Sequence, residues 1–282
     1  MAVSGVGGIQ ASAAQAPVGL GTAASFSVLG GQTVTNTGPS VITGGIGLSP
    51  GSAITGFPPG TVNGTIHAAD AVALQAEADL TTAYNDAASR STSAAISADL
   101  GGQRLLPGVY TGGTLGLTGT LTLDAQGDPD AVFVFQSAST LITASSSNVV
   151  MVNGGNACRV FWQVTSSATL GTNSVFIGTV LALTSITATT GAVLYGRLLA
   201  RNGAVTLDNN KINRPSCTSG TSATAPTGQP TTGQPTTGAT GAGATTLPGT
   251  GPRLVTATGI LALLAVIAGG LMLATTQRRR LR

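Results

Sequence analysis

Five short segments share one pattern, a threonine with apolar or small residues on both sides. They are TLTLD (120–124), LITAS (141–145), SATLG (167–171), SITAT (185–189) and AVTLD (204–208), centred on Thr122, Thr143, Thr169, Thr187 and Thr206. Side chains alternate faces along an extended strand, so each segment predicts a rung with two apolar residues in and its threonine out. The central threonines lie 21, 26, 18 and 19 residues apart. The last two intervals approach a constant period and the first two carry insertions. Between the rungs run further apolar strands, VFVFQ (132–136), VVMV (149–152), VFWQV (160–164), VFIGTVLA (175–182) and VLYGRLLA (193–200). A coil of about three short strands per turn fits this spacing, which predicts an irregular β-solenoid.

One stretch breaks the pattern. Residues 68–88 are alanine-rich and free of Gly and Pro, which predicts a helix ~30 Å long. Val72, Leu74, Leu80 and Tyr84, with alanines between, give it one adhesive side, and Asp70, Glu77, Asp79 and Asp86 mostly lie off that side. Such a helix would lie lengthwise on one face of the coil. Residues 22–66 read as further short strands, SFSVL and TVTNT among them, with turns at GPS and SPGS.

Beyond the coil the pattern changes twice. Residues 217–246, with a TGQPT repeat and no charge, cannot bury enough surface to order themselves and predict an extended linker. Residues 254–274 are an uncharged run of about the ~20 residues needed to span a bilayer. Arg278, Arg279 and Arg280 follow it, and such cations stay on the cytoplasmic side, which places everything before the span outside the cell. Between linker and span stands Leu247-Pro248-Gly249-Thr250-Gly251, which resembles the LPxTG sorting signal of Gram-positive surface proteins. That resemblance implies cleavage by a sortase after Thr250 and attachment to peptidoglycan, on a Gram-positive-type cell wall. An ordinary single-span anchor is the other reading. Residues 1–16 read as the remnant of a signal peptide whose start lies upstream.

Composition sharpens this picture. Only 7% of residues are charged and 41 are glycine, a mix suited to stacked strands joined by tight turns. The net charge of +3 comes from the C-terminal tail, and the rest of the chain is slightly acidic. No basic stripe marks a nucleic-acid binder. His67, the only histidine, precedes the helix, and Asp124, Asp128 and Asp130 sit among Gly and Pro in a turn. No catalytic set, phosphate loop, cofactor motif or metal-ligand spacing emerges. Cys158 and Cys217 are either one bridge or two free thiols; a bridge would suit an exported protein and contribute ~4 kcal/mol through loop closure.

GLGTAASFSVLGG, SVITGGIGLSPGSAITGF, HAADAVALQAEADLTTAYNDAA, LLPGVY, LTLDAQGDPDAVFVFQ, VFWQV and YGRLLA, in this order, resemble the ice-binding family first catalogued as a domain of unknown function. The resemblance covers residues 17–213. It implies a discontinuous, right-handed β-solenoid over 17–216 with one long helix packed along it, and a flat face that binds ice without any chemical step. Stacked rungs repeat every ~4.8 Å and alternate side chains every ~7 Å, both close to repeats of the ice lattice. Family members carry a T-A/G-x-T/N-type pattern there. Thr184-Ser185-Ile186-Thr187 comes closest to it, and Thr140-Leu141-Ile142-Thr143 keeps both threonines. The expected ice face therefore comprises Thr120, Thr122, Thr140, Thr143, Ser167, Thr169, Thr184, Ser185, Thr187, Thr189 and Thr206. The rival reading is a surface adhesin or structural wall protein that binds a sugar or another protein. Such a site would want clustered aromatics, whereas Trp162 is the sole tryptophan and sits in a strand that reads as buried.

Overall fold

A computed structural model of the chain describes residues 15–217. The expected leader apart from its last two residues, the linker beyond Cys217, the LPGTG motif and the 254–274 run lie outside the described residues. The strands between Phe26 and Asn213 wind into a coil with parallel pairing throughout, and each full turn gives one strand to each of three faces. One face is a separate seven-stranded sheet. Its spatial order is Leu115–Leu117, Leu141–Thr143, Ala168–Leu170, Ile186–Ala188, Val205–Asp208, Thr33–Thr37 and Ala53–Thr55. The other two faces share a fifteen-stranded sheet. They are joined where Val175–Ala182 and Val193–Ala200 run round a corner unbroken, at Gly178 and Gly196. A Cβ at Gly196 would lie 1.8 Å from the Gly178 carbonyl oxygen, so only glycine lets the two coils close at that corner.

The stack is out of sequence order. The N-terminal coils, residues 26–68, dock on the C-terminal end of the coil through Val28 with Leu198, Val34 with Val205 and Ile42 with Ile212. The chain must then travel to the far end, where Ala94–Ala95 pairs with Gly108–Gly112. The helix Ala71–Ser89 makes that journey. At 1.5 Å per residue it covers ~28 Å, most of the height of the nine strands stacked on the face beneath it. Asp70 caps its start, accepting a hydrogen bond from the Ala73 N–H at 2.9 Å.

The helix buries Ala73, Ala76, Leu80, Ala83, Tyr84 and Ala87. Val72 and Leu74, expected on the adhesive side, are 48% and 62% exposed. Alanine wins the contact because a small side chain lets the helix axis approach a pleated sheet closely. Strands under the helix are buried on both sides and therefore read as near-continuous apolar runs, broken only by Gln136, Ser137 and Gln163. Val109, Val134, Phe161, Leu181 and Leu199 face the helix. Their neighbours Tyr110, Phe135 and Trp162, together with Phe176, stack inside the coil with ring centroids 5.6, 3.9 and 4.8 Å apart. Cys158 and Cys217 form a disulfide, with Cα atoms 5.7 Å apart.

Glu77 departs from the expected arrangement. It turns toward the coil, its Oε1 is buried without a hydrogen-bond partner, and burial pushes its carboxyl up to about 8 despite the opposing pull of Arg201. A carboxyl that binds its proton more tightly folded than unfolded loses stability as pH rises from its ordinary value, 4.5, toward 8. Glu77→Gln should therefore melt a few degrees above the wild type at pH 9 and show no such advantage at pH 4. Equal differences at both pH values, read by thermal denaturation, would show that Glu77 reaches solvent and ionises normally.

Candidate functional site

The seven-stranded sheet carries the chemistry that the threonine pattern foreshadowed, but with different members. Register places Thr169 beside Thr187, Thr187 beside Thr206, Thr206 beside Thr35 and Thr35 beside Thr55. Each projects outward, half-buried by its neighbours or exposed, while Ala168, Ile186, Val205 and Val34 beside them are buried. Five threonines thus form one unbroken row, ~19 Å long at the strand spacing. Two residues earlier on the same strands, the same face presents Ser167, Ser185, Ala204, Thr33 and Ala53. The local rule is small or hydroxylated, then apolar, then threonine.

Hydroxyl groups along the face hold one another in place. Thr35 Oγ1 donates to Thr206 Oγ1 at 3.4 Å, and Ser167 Oγ and Thr184 Oγ1 lie 2.9 Å apart. Ser185 Oγ accepts from the Ala204 N–H at 3.2 Å, and Thr189 Oγ1 donates to the Leu170 carbonyl at 2.8 Å. These contacts cross from coil to coil, so each hydroxyl is fixed by the same stacking that fixes the backbone. Thr184 is exposed and Thr189 half-buried at opposite borders of the sheet.

Three expected members belong elsewhere. Thr120 and Thr122 lie on the third face, in register with Asn148 and Val150, and Thr122 also pairs with Arg104. Thr143 points inward. It sits in register with the buried Leu117, is 4% exposed, and its Oγ1 accepts from the Gly171 N–H at 2.8 Å. The outward residue on that strand is Ile142, 50% exposed and beside Thr169. A slip of one position exchanges the two faces of a strand, and the segment LIT admits either reading. Thr140, two residues before Ile142, remains on the face, half-buried.

Thr33, Thr35 and Thr55 are the members that the sequence reading missed. TVT (33–35) and AIT (53–55) follow the same rule as SIT (185–187) and AVT (204–206), so the signal was present. It was hidden because these strands precede the helix by sequence and follow the last rung in space.

Apart from Asp208, whose carboxylate is taken by the Thr190 hydroxyl, and Asp99, beside Gly116 at one edge, the outward positions of this sheet hold no charged side chain. Among the described residues no group of three or more His, Cys, Asp or Glu side chains could hold a metal ion. The arrangement offers a repeating surface of methyl and hydroxyl groups and no reactive set.

A protein-family model described as Ice-binding-like matches residues 28–213. The ice-binding protein of Nostoc sp. (strain HG1) is 58% identical over 197 residues, which cover 69% of this chain and 73% of that protein. The crystal structure of an ice-binding protein from an Antarctic biological consortium is similar with a TM-score of 0.70 and 51% identity, over 74% of this chain and 96% of that one. An ice-binding protein from the Antarctic ascomycete Antarctomyces psychrotrophicus gives a TM-score of 0.70 at 44% identity, over 71% of this chain and all of that one. With the match spanning most of the coil, the chain belongs to the ice-binding-like family.

Proposed function

We propose that this protein binds ice through the seven-stranded sheet. The observation that carries the reading is the in-register row of Thr169, Thr187, Thr206, Thr35 and Thr55, flanked by Ser167, Ser185 and Thr33. Rows ~4.8 Å apart along the stack and ~7 Å apart along the strands approach ice-lattice repeats in two directions. Each threonine is restricted at χ1 and offers a methyl and a hydroxyl at fixed places. Such a surface holds water in an ordered array, and the methyls gain by leaving bulk water. Adsorbed molecules then force ice to grow as curved fronts between them, which lowers the local freezing point. The protein acts as a passive surface, with no enzymatic step and no cofactor.

Thr187→Tyr, within the row, should sharply weaken inhibition of ice recrystallisation, since a misfit worth ~1.4 kcal/mol already means tenfold weaker adsorption. Thr122→Tyr, on the third face, should leave it intact. Equal loss in both folded variants would remove the threonine face from consideration. An inactive wild type at high concentration would instead favour adhesion to a sugar or protein. Ile142 ends the threonine row at one side, and Ile142→Thr should lengthen the array by one member and raise activity. No gain in a folded variant would limit the working surface to the five strands that carry the threonine row.

We further infer that the coil winds right-handed, as parallel crossover connections do, and that the protein is displayed on a cell wall. The order of LPGTG, apolar run and arginine cluster supports display, and the Cys158–Cys217 bridge suits an oxidising exterior. On this reading 1–16 is a leader remnant, 17–216 the ice-binding unit, 217–246 the linker and 247–282 the sorting signal with its 254–274 span. In its host cell the mature chain should end at Thr250 on a peptidoglycan fragment, identified by mass spectrometry after wall digestion. Recovery of the uncut chain from the membrane fraction would make the C-terminus a plain single-span anchor.

A further inference from the structure

The strongest unexplained feature lies far from the threonines, where both ends of the coil meet. Arg197, just past the Gly196 corner, is 2% exposed. Its Nε donates to the Ala24 carbonyl at 3.1 Å, its contact to Thr179 Oγ1 is long at 3.5 Å, and its remaining contact is to the weak acceptor Cys217 Sγ at 3.5 Å. Arg214 Nη1 donates to the same Ala24 carbonyl at 3.3 Å. Two guanidinium groups therefore share one carbonyl oxygen. Neither has a salt-bridge partner, although all nine acids of the chain lie among the described residues. Burial first, and Arg214 second, pull the Arg197 guanidinium down to about 10. A buried cation is normally paired, because desolvation otherwise disfavours it strongly.

A cleft of about 260 Å³ opens against the exposed Arg214 of this pair, lined also by Phe26, Asn63, Thr65 and His67 over the bare backbone of Gly44, Gly45 and Gly64. His67, held by Asp70 Oδ2 at 2.7 Å from its Nδ1, forms one side of the cleft. The Asn63 amide and the Thr65 hydroxyl make no hydrogen bond among the described residues and are exposed. Phe26 meets His67 edge to face, 5.7 Å between ring centroids, and gives the cleft an apolar wall.

We propose that this cleft is a binding site for a phosphate group, free or carried by a small ester. A guanidinium fork matches phosphate oxygens, and the Asn63 amide and Thr65 hydroxyl provide further donors around a volume larger than the ion alone. Arg214 supplies the contact, Arg197 on the same Ala24 carbonyl adds positive charge beside it, and the Phe26 wall accommodates an organic substituent.

The test is calorimetric titration of the full-length chain with glycerol 3-phosphate, inorganic phosphate, glycerol and sodium chloride. Glycerol 3-phosphate should bind more tightly than chloride, glycerol should not bind, and Arg214→Gln should weaken the phosphate compound at least tenfold. Thr65→Val, at an exposed position, should weaken it by a smaller factor. Ice-recrystallisation inhibition should be unchanged in both variants, which also shows that they are folded. Equal binding of inorganic phosphate assigns the site to the free ion, and tighter binding of the ester assigns it to an ester. Binding no tighter than chloride, or undiminished in Arg214→Gln, would overturn the proposal.

Discussion

Four residue pairs, Val34 with Val205, Thr35 with Thr206, Asn36 with Leu207 and Thr37 with Asp208, join the first coil of the chain to its last. Without that seam the threonine row would be two separate pieces, three residues on one and two on the other. The seam is reinforced at each corner. The Gly31 N–H reaches the Gly203 carbonyl at 2.9 Å, and the Asn210 N–H reaches Ser40 Oγ at 2.8 Å. Loop-closure entropy grows only with the logarithm of loop length, so bringing together residues 171 apart in sequence is not prohibitive once a ladder can form. The ladder then transmits one spacing through all seven strands.

The helix follows from the seam. A chain that places its first coils on the far end of the stack has to return along it, and the face chosen for the return is lost to any outside partner. That face is accordingly apolar on both sides of its strands, and the helix meets it with alanines. Of the two faces left open, the third mixes Val41, Val150 and Tyr195 with Arg104, Lys211 and Asn213, side chains of unequal length and charge. The seven-stranded sheet alone keeps short, similar groups in consecutive rows.

Much of this was legible in the sequence, for identifiable reasons. Alternation within SITAT and AVTLD gave Thr187 and Thr206 their faces, and the absence of Gly and Pro over 68–88 located the helix. Two kinds of information were missing. Local alternation cannot decide which of three faces a strand occupies, so TLTLD, with the same pattern as the rungs of the threonine row, could not reveal that Thr122 stands beside Arg104. Nor can it decide the register of a strand with apolar residues on both faces, as in LIT, where Ile142 went out and Thr143 in. Stack order was the deeper gap. Thr35 and Thr55 obey the same rule as the others, yet only long-range pairing shows them to be neighbours of Thr206.

The low charge content acquires a physical meaning from this arrangement. An ionised side chain orders water around itself in a geometry set by its own field, which competes with any pattern imposed by a regular surface. The acids are kept away from the central rows. Asp70, Glu77, Asp79 and Asp86 belong to the helix and its cap, and Asp124 and Asp130 are paired with Arg104 and Arg159. Asp99, at one end of the sheet, is taken up by the N–H groups of Gly101 and Thr118. Asp208, the acid nearest the threonine row, is engaged by the Thr190 hydroxyl at the sheet border. Of the cations without an ion pair, Arg197 and Arg214 share the Ala24 carbonyl near the corner between the other two faces, and Lys211 stands on the third face. A surface built to order water by spacing rather than by charge would be disturbed by either sign, so where these charges fall is as much a part of the proposed function as where the threonines fall.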